Sequence, residues 1–446
     1  MGTKGGCAAE FAVILILCLA FPGWVYADSR NPLSLFQFDF GVQEEYTDNV
    51  DYRSSNKRDE WITGVYGAIR LSTELTPERA PGQLEEKPID RDPYGINLRY
   101  KGSYNHYAND TYDNYFSHEG NLDTWATIGR AVVLRLKDSF LVSDEPLELN
   151  YQKGTLPEDF LRGSQKTRAR YVRNVLEPSM EFQFGKESRF SLAYLNNYYE
   201  NENPTYEDSQ EHALTPRLEL WFNIRHGISL EYSFDKGDFE RSPEMIGHLG
   251  RGRYNYRFNP RTTIFGEYVF IRRDFDNPGI DYDVQNPSVG IAHAFSANTT
   301  GNLQIGYFWV NPQRGQKEDG LSGSATLSTR TQLTTFSISL QGGFREDYFT
   351  ALNSGLSKYY GAYASIGHSL TKRFTVGLQG SVTRDEYPST VSNEKVWRWA
   401  AQGNATYRVL RWLSFTLEAS HMEDDSNLEG SDIQENRAVL RINLTL

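Results

Sequence analysis

The stretch RGRYNYRFN, Arg251 to Asn259, places Arg251, Arg253, Asn255 and Arg257 at alternate positions, with Tyr254, Tyr256 and Phe258 between them. Successive side chains of an extended chain point to opposite faces, so the guanidiniums share one row and the aromatic rings share the other. A basic row of this kind has two uses. It can favour anions or acidic sugars in a passage, or it can pair with Glu219, Glu231 and Asp235 on neighbouring strands and stiffen a wall. Arg217, Arg398, Glu418, Arg437 and Arg441 fall on the same polar register in their own segments. With Glu219 and Glu231, these are the residues expected to line an interior.

Catalytic and metal chemistry find less support. The eight histidines are scattered, and no serine stands in a nucleophile-elbow or zinc-type context. Ser420-His421 is one place where a hydrolase could be assembled from adjacent strands, and the expectation is that the protein is not an enzyme. Asp274, Asp276, Asp281 and Asp283 in DFDNPGIDYD offer oxygen ligands without EF-type spacing. Solvated loop charge accounts for them, so neither a metal site nor a cofactor is expected.

A second candidate is DEPLELNYQKGTLPEDFLRGSQ, Asp144 to Gln165. Loops of this length are usually functional. Folded inward, with Glu145, Tyr151, Lys153, Glu158 and Asp159 presented to an interior, it would narrow a passage.

The elements that must position these residues are strands. GISLEYSFD opposes Ile228, Leu230, Tyr232 and Phe234 to Ser229, Glu231, Ser233 and Asp235, and TFSISLQGGF opposes Phe336, Ile338, Leu340 and Phe344 to Ser337, Ser339 and Gln341. Such period-2 segments recur from about Leu33 to the last residue, and no amphipathic helix is found among them. They predict about twenty strands, within a range of 18 to 22. Their connections alternate between tight turns, such as Thr371-Lys372 and Leu410-Arg411, and longer polar loops, such as NPTYEDSQ and DDSNLEGSD.

Aromatic residues make up 14% of the chain, yet mean hydropathy is −0.59, which excludes a helical membrane protein. In hydrocarbon, closed barrels are the alternative to helices. Segregation of short turns to one end and long loops to the other is the habit of outer-membrane barrels, with the turns in the periplasm and the loops outside. The fold class read from the sequence is therefore all-β: a transmembrane antiparallel up-and-down β-barrel. Thr76 to Asp92 departs from the rule, being long where a short turn is due; it is either an insertion or a miscount. Trp397, Trp399 and Tyr407, which share one face, suit an interfacial girdle.

Residues 1–27 carry Lys4, an apolar run from Phe11 to Phe21 and a small-residue close at Val25-Tyr26-Ala27. They are expected to be a signal peptide, leaving 28–446 as one barrel domain. Both cysteines, Cys7 and Cys18, lie within that peptide, so the mature barrel needs no disulfide. A net charge of −12 argues against a nucleic-acid partner. In RAVLRINLTL, Leu440, Ile442, Leu444 and Leu446 face lipid while Arg437 and Arg441 face inward. This strand is expected to close the barrel against Phe36 to Val42, and Leu444 and Leu446 resemble the signal read by the barrel-assembly machinery.

GVQEEYTDNV leading into DEWITGVYGAIRLSTEL, and then LKDSFLVSDEPLE, is similar to the putative beta-barrel porin 2 type of outer-membrane barrel. The resemblance rests on Glu44, Glu45, Tyr46, Asp48 and Asn49, and on Asp138-Ser139-Phe140 with Asp144-Glu145-Pro146. That family includes barrels found beside exopolysaccharide-export genes. It implies a Gram-negative outer-membrane location after Sec-type export, contact with lipid and lipopolysaccharide, and a transport role; it supplies no active-site residues. The function expected is a channel for polysaccharide or another polar solute. The alternative is a non-conducting scaffold or adhesion barrel, with a hydrolase as a more distant third.

Overall fold

In the computed structural model, residues 35–73, 93–109, 111–129, 131–145, 168–388 and 393–446 are described. They form twenty strands: β1 (Phe36–Thr47), β2 (Glu60–Ser72), β3 (Tyr94–Tyr107), β4 (Tyr115–Ile128), β5 (Val132–Ser143), β6 (Tyr171–Gln183), β7 (Arg189–Asn201), β8 (Ser209–Trp221), β9 (His226–Phe239), β10 (Met245–Asn259), β11 (Thr262–Phe275), β12 (Tyr282–Ser296), β13 (Thr299–Pro312), β14 (Glu318–Arg330), β15 (Thr334–Asp347), β16 (Gly355–Ser369), β17 (Phe374–Tyr387), β18 (Glu394–Leu410), β19 (Leu413–Ser426) and β20 (Ile433–Thr445). Each pairs antiparallel with its sequence neighbours, and β1 pairs with β20, so the sheet closes and leaves no free edge.

The closing pairing runs from Asp39 opposite Thr445 to Thr47 opposite Arg437, which sets Phe40 against Leu444 and Val42 against Ile442. Backbone bonds between Phe38 and Leu446, at 3.0 and 2.8 Å, extend it to the last residue. The alternation of the sequence is thereby converted into two surfaces. Outward rows carry the exposed apolar side chains, among them Val289 at 66% and Leu378 at 61% exposure, as a lipid-facing band requires. The register also puts all eight histidines in outward rows, near strand ends. Three of them meet a tyrosine hydroxyl of the adjacent strand at 2.7 Å: Tyr100 with His118, Tyr194 with His212 and Tyr232 with His248. With Trp397 and Trp399, stacked at 6.0 Å, these amphipathic rings make interfacial girdles.

The connections segregate by length. β10 and β11 are joined through residues 260–261 and β12 and β13 through 297–298, both at the turn end, whereas residues 48–59 and 202–208 join strands at the loop end. The long connection between β2 and β3 sits at the turn end. Since β2 pairs β3 antiparallel in the expected order, the strand count holds there and the connection is an insertion; residues 74–92 of it lie outside the described residues.

Candidate functional site

Inward rows meet water in the turn-end half of the lumen and are packed in the loop-end half. In the water-filled half, Arg217 reaches Glu219 at 2.6 Å and Glu231 at 3.8 Å, while Arg251 reaches Glu231 at 3.3 Å. Arg253 lies 3.7 Å from Glu267 and over the ring of Phe265. Arg257 bonds Glu187 at 2.6 Å over the ring of Trp221. Arg441 bonds Glu418 at 2.9 Å across β20 and β19. Each guanidinium of the row that could have formed a free basic ladder thus has a carboxylate beside it. Asp235, grouped with this row from the sequence, belongs instead to a partner further toward the loop end.

That partner is Arg273, and it marks the main feature of the lumen. β14 and β15 pair only from Gly323 opposite Gly342 onward to Arg330 opposite Thr335. Beyond that point β14 stays with β13 as far as Glu318, while β15 stays with β16 as far as Asp347. The two ladders separate at Gly343, whose φ of 148° suits a residue without Cβ. There β15 parts from β14, while β16 keeps its ladder with β17 as far as Lys358 opposite Glu386; the tip beyond, residues 344–357, leans into the lumen.

Both faces of the released hairpin are consequently buried. On one face, Glu346 accepts from Arg273 Nε at 3.0 Å and Nη2 at 2.8 Å, and Arg273 Nη1 donates to Asp235 at 2.8 Å. Tyr282 donates to Glu346 at 2.5 Å, and Tyr348 donates to Tyr282 at 2.8 Å. β11 and β15 are four strands apart, about 19 Å along the wall, so these bonds require the hairpin to cut across. Phe344, Tyr348 and Leu356 cover Ile271, Val284, Phe308 and Val310, an apolar seat on the lumen wall. On the other face, Arg345 bonds Asp385 at 2.7 Å and Asp347 at 3.2 Å. Arg398 joins the same Asp385 and lies 3.6 Å from Asp424. The tip reaches nearly the opposite wall: Phe349 stacks on Phe239 at 5.3 Å, and the Glu207 N–H donates to the Ala351 carbonyl at 2.8 Å.

A second cluster fills the lumen beside the hairpin. Arg168, 7% exposed, donates to Glu145 at 2.9 Å, Tyr107 at 3.2 Å and the Val50 carbonyl at 3.2 Å. Tyr52 donates to Glu145 and Tyr107 to Asp144, at 2.8 and 2.9 Å. Arg437 bonds Glu45 at 2.6 Å, and Thr47 donates to Glu435 at 2.7 Å. Burial pushes the Asp144 carboxyl up to about 6, with Arg168 opposing and Glu145 adding to the shift. For Glu145, burial is outweighed by the Arg168 and Arg437 charges, and its carboxyl is held below the ordinary range. Above this cluster, residues of the β1–β2, β3–β4 and β19–β20 loops enclose a cavity of about 390 Å³ that includes Asp51, Tyr52, Tyr112 and Ser431. Arg58 and Tyr112 hydrogen-bond Asp51 there and keep it ionised against its burial.

Of the residues expected to constrict the passage, Glu145 is in this cluster, whereas Tyr151, Lys153, Glu158 and Asp159 lie outside the described residues. The β15–β16 hairpin was not anticipated. Arg345, Glu346 and Asp347 in GGFREDYF put charge on both rows of a strand, but Arg272-Arg273-Asp274 in β11 and Arg384-Asp385-Glu386 in β17 do the same without leaving the wall, so the local sequence does not single the hairpin out. Ser420 and His421 fall on opposite faces and form no catalytic pair; His421 Nδ1 instead meets Asn436 at 2.8 Å. Asp274, from the acidic loop, is bonded to Arg272 at 2.8 Å. Among the described residues, no group of His, Cys, Asp or Glu is placed to hold a metal ion.

A closed barrel with an inserted hairpin is the setting in which comparison with known proteins is informative. Residues 244–446 match the family Putative beta-barrel porin 2. The matched segment contains β10 through β20, and with them the whole inserted hairpin. It is the family that the N-terminal motifs resemble, although those motifs lie outside the matched residues. No curated protein matches the sequence. Three solved structures resemble the barrel. The outer-membrane protein opdK from Pseudomonas aeruginosa has 10% identity and a TM-score of 0.44, over 93% of this chain and 100% of that one. The siderophore receptor PirA from Pseudomonas aeruginosa has 9% identity and a TM-score of 0.49, over 94% and 81%. The ferric enterobactin receptor PfeA, in complex with BCV-L6, has 8% identity and a TM-score of 0.50, over 92% and 81%. At these identities the likeness is one of fold. The described strands form a closed antiparallel β-barrel, similar to porin-like outer-membrane barrels.

Proposed function

We propose that the barrel is a channel for polar solutes whose aperture is set by the β15–β16 hairpin. The observation that carries this reading is the departure of the hairpin from the wall at Gly343 and its seating on Arg273 and the apolar patch around Phe308. A twenty-stranded barrel leaves an aqueous interior that a channel must narrow, and a hairpin tip held across the lumen by side-chain bonds, beyond the end of its ladder with β17 at Lys358, is suited to that task. Passage of a polysaccharide chain requires a larger displacement of the packed loop end than passage of a small polar solute. Extracellular placement of the loop end follows from loop length.

The packed loop end also supports a second reading, a scaffold barrel that stays shut. Planar-bilayer recording separates the two. Purified wild-type protein should give steady current, and replacing residues 344–358 by Asn-Gly, which leaves Gly343 opposite Tyr359 at a tight turn, should raise the unitary conductance. A silent wild type with a silent hairpin variant would leave the scaffold reading standing.

A further inference from the structure

We propose that the loop end of the lumen is a cation-preferring filter, admitting cations and uncharged polar solutes and turning anions back; this rests on the channel reading above. Three groups of charges occupy that level, and among the described residues the carboxylates in each outnumber the cations. Arg168 and Arg437 are faced by Asp144, Glu145, Glu45 and Glu435. Arg345 and Arg398 are faced by Asp347, Asp385 and Asp424. Arg273 is faced by Asp235 and Glu346.

An independent observation points the same way. Glu60 occupies an inward row of β2, opposite Thr47, and is fully buried. Its Oε1 accepts the Trp61 and Asn109 backbone N–H groups at 2.9 and 3.0 Å, while Oε2 has no hydrogen-bond partner, and no cationic side chain pairs with it among the described residues. Glu45 Oε1 and Asp144 Oδ1 are likewise buried without a hydrogen bond, although Arg437 pairs with Glu45 and Arg168 lies 3.9 Å from Asp144 Oδ1. An ionised carboxylate cannot be buried at no cost, and retention of several at one level fits a passage where a cation supplies the missing partner in transit. The turn-end half lacks this surplus, since Arg217, Arg251 and Arg253 there share Glu219, Glu231 and Glu267 one for one. Rings of acidic side chains select cations by field, without a coordinated site.

The experiment is a reversal-potential measurement on the full-length protein in planar bilayers under a KCl gradient. The expected result is a K⁺ to Cl⁻ permeability ratio several-fold above one near 0.1 M salt. It should fall toward one near 1 M, where the screening length shrinks to about 3 Å. Glu60→Gln, which keeps the size and the accepting oxygen, should lower the ratio; the salt dependence of the wild type stands as a test if that variant does not assemble. A conducting protein with a ratio of one or less overturns the filter and leaves the channel intact. A protein that never conducts overturns both.

Discussion

Arg273 is the most economical place to perturb the hairpin. Its side chain is 9% exposed and makes three hydrogen bonds at 2.8 to 3.0 Å to two carboxylates from β9 and β15. Arg273→Ala leaves Glu346 and Asp235 buried, with no guanidinium between them. Loss of one partner from a buried ion pair costs about 3–5 kcal/mol, and the Tyr282 hydroxyl, which still donates to Glu346, places the cost at the lower end. At about 1.4 kcal/mol per tenfold, the ratio of seated to unseated hairpin falls by roughly a hundredfold or more. The barrel wall does not depend on this bond, because β10, β11 and β12 keep their full ladders. Single-channel recording should therefore show a higher conductance level or frequent long openings, while the gel shift of the folded barrel on heating persists. The triple variant Asp235→Asn, Arg273→Met, Glu346→Gln removes charge on both sides and should return the channel toward wild-type behaviour. If Arg273→Ala matches the wild type in conductance, open fraction and gel shift, the hairpin is not held by this latch and the reasoning fails.

Three further outcomes are expected. Asp144→Asn should stabilise the protein above pH 6: the raised carboxyl binds its proton more tightly when folded, so the wild type loses stability as pH rises from about 4 through about 6, by up to about 3 kcal/mol. Melting followed across pH 4 to 8 should show the variant flat where the wild type declines; equal slopes would count against it. Arg217→Ala should change stability by less than about 1 kcal/mol, since its side chain is 45% exposed to the lumen, and a larger loss in a melting experiment would mean the turn-end network is not solvated. Removal of Leu444 to Leu446 deletes the pairing with Phe38 and Phe40 and should abolish the heat-modifiable barrel on a gel; a normal gel shift would refute the role given to the closing strand.

Much of the architecture is readable in the chain because strand alternation is a local property. Ile228 to Phe234 against Ser229 to Asp235 declares two faces within a few residues, and the same rule holds through each of the twenty strands. It likewise predicts which residues look inward, so Arg251, Arg253, Arg437 and Arg441 could be assigned to the lumen row before any coordinates were known. What those arginines touch could not be assigned. Pairing of Arg251 with Glu231 needs the register between β9 and β10, and the choice of Arg273 as partner for Asp235 needs the registers of β9, β10 and β11, which set the two on either side of Gly247.

The sequence alone determined the strand number, the outward and inward rows, the ends carrying turns and loops, and the closing strand. Each of these follows from spacing along the chain and from the requirement that every backbone group be paired in lipid. Only the tertiary structure decided that the tip of the β15–β16 hairpin leans across the lumen. That choice depends on Glu346 meeting an arginine 73 residues away, and on an apolar seat built from β10 to β13. Contacts between distant strands exist only after the sheet has curled round to bring them together, so nothing in local spacing encodes them.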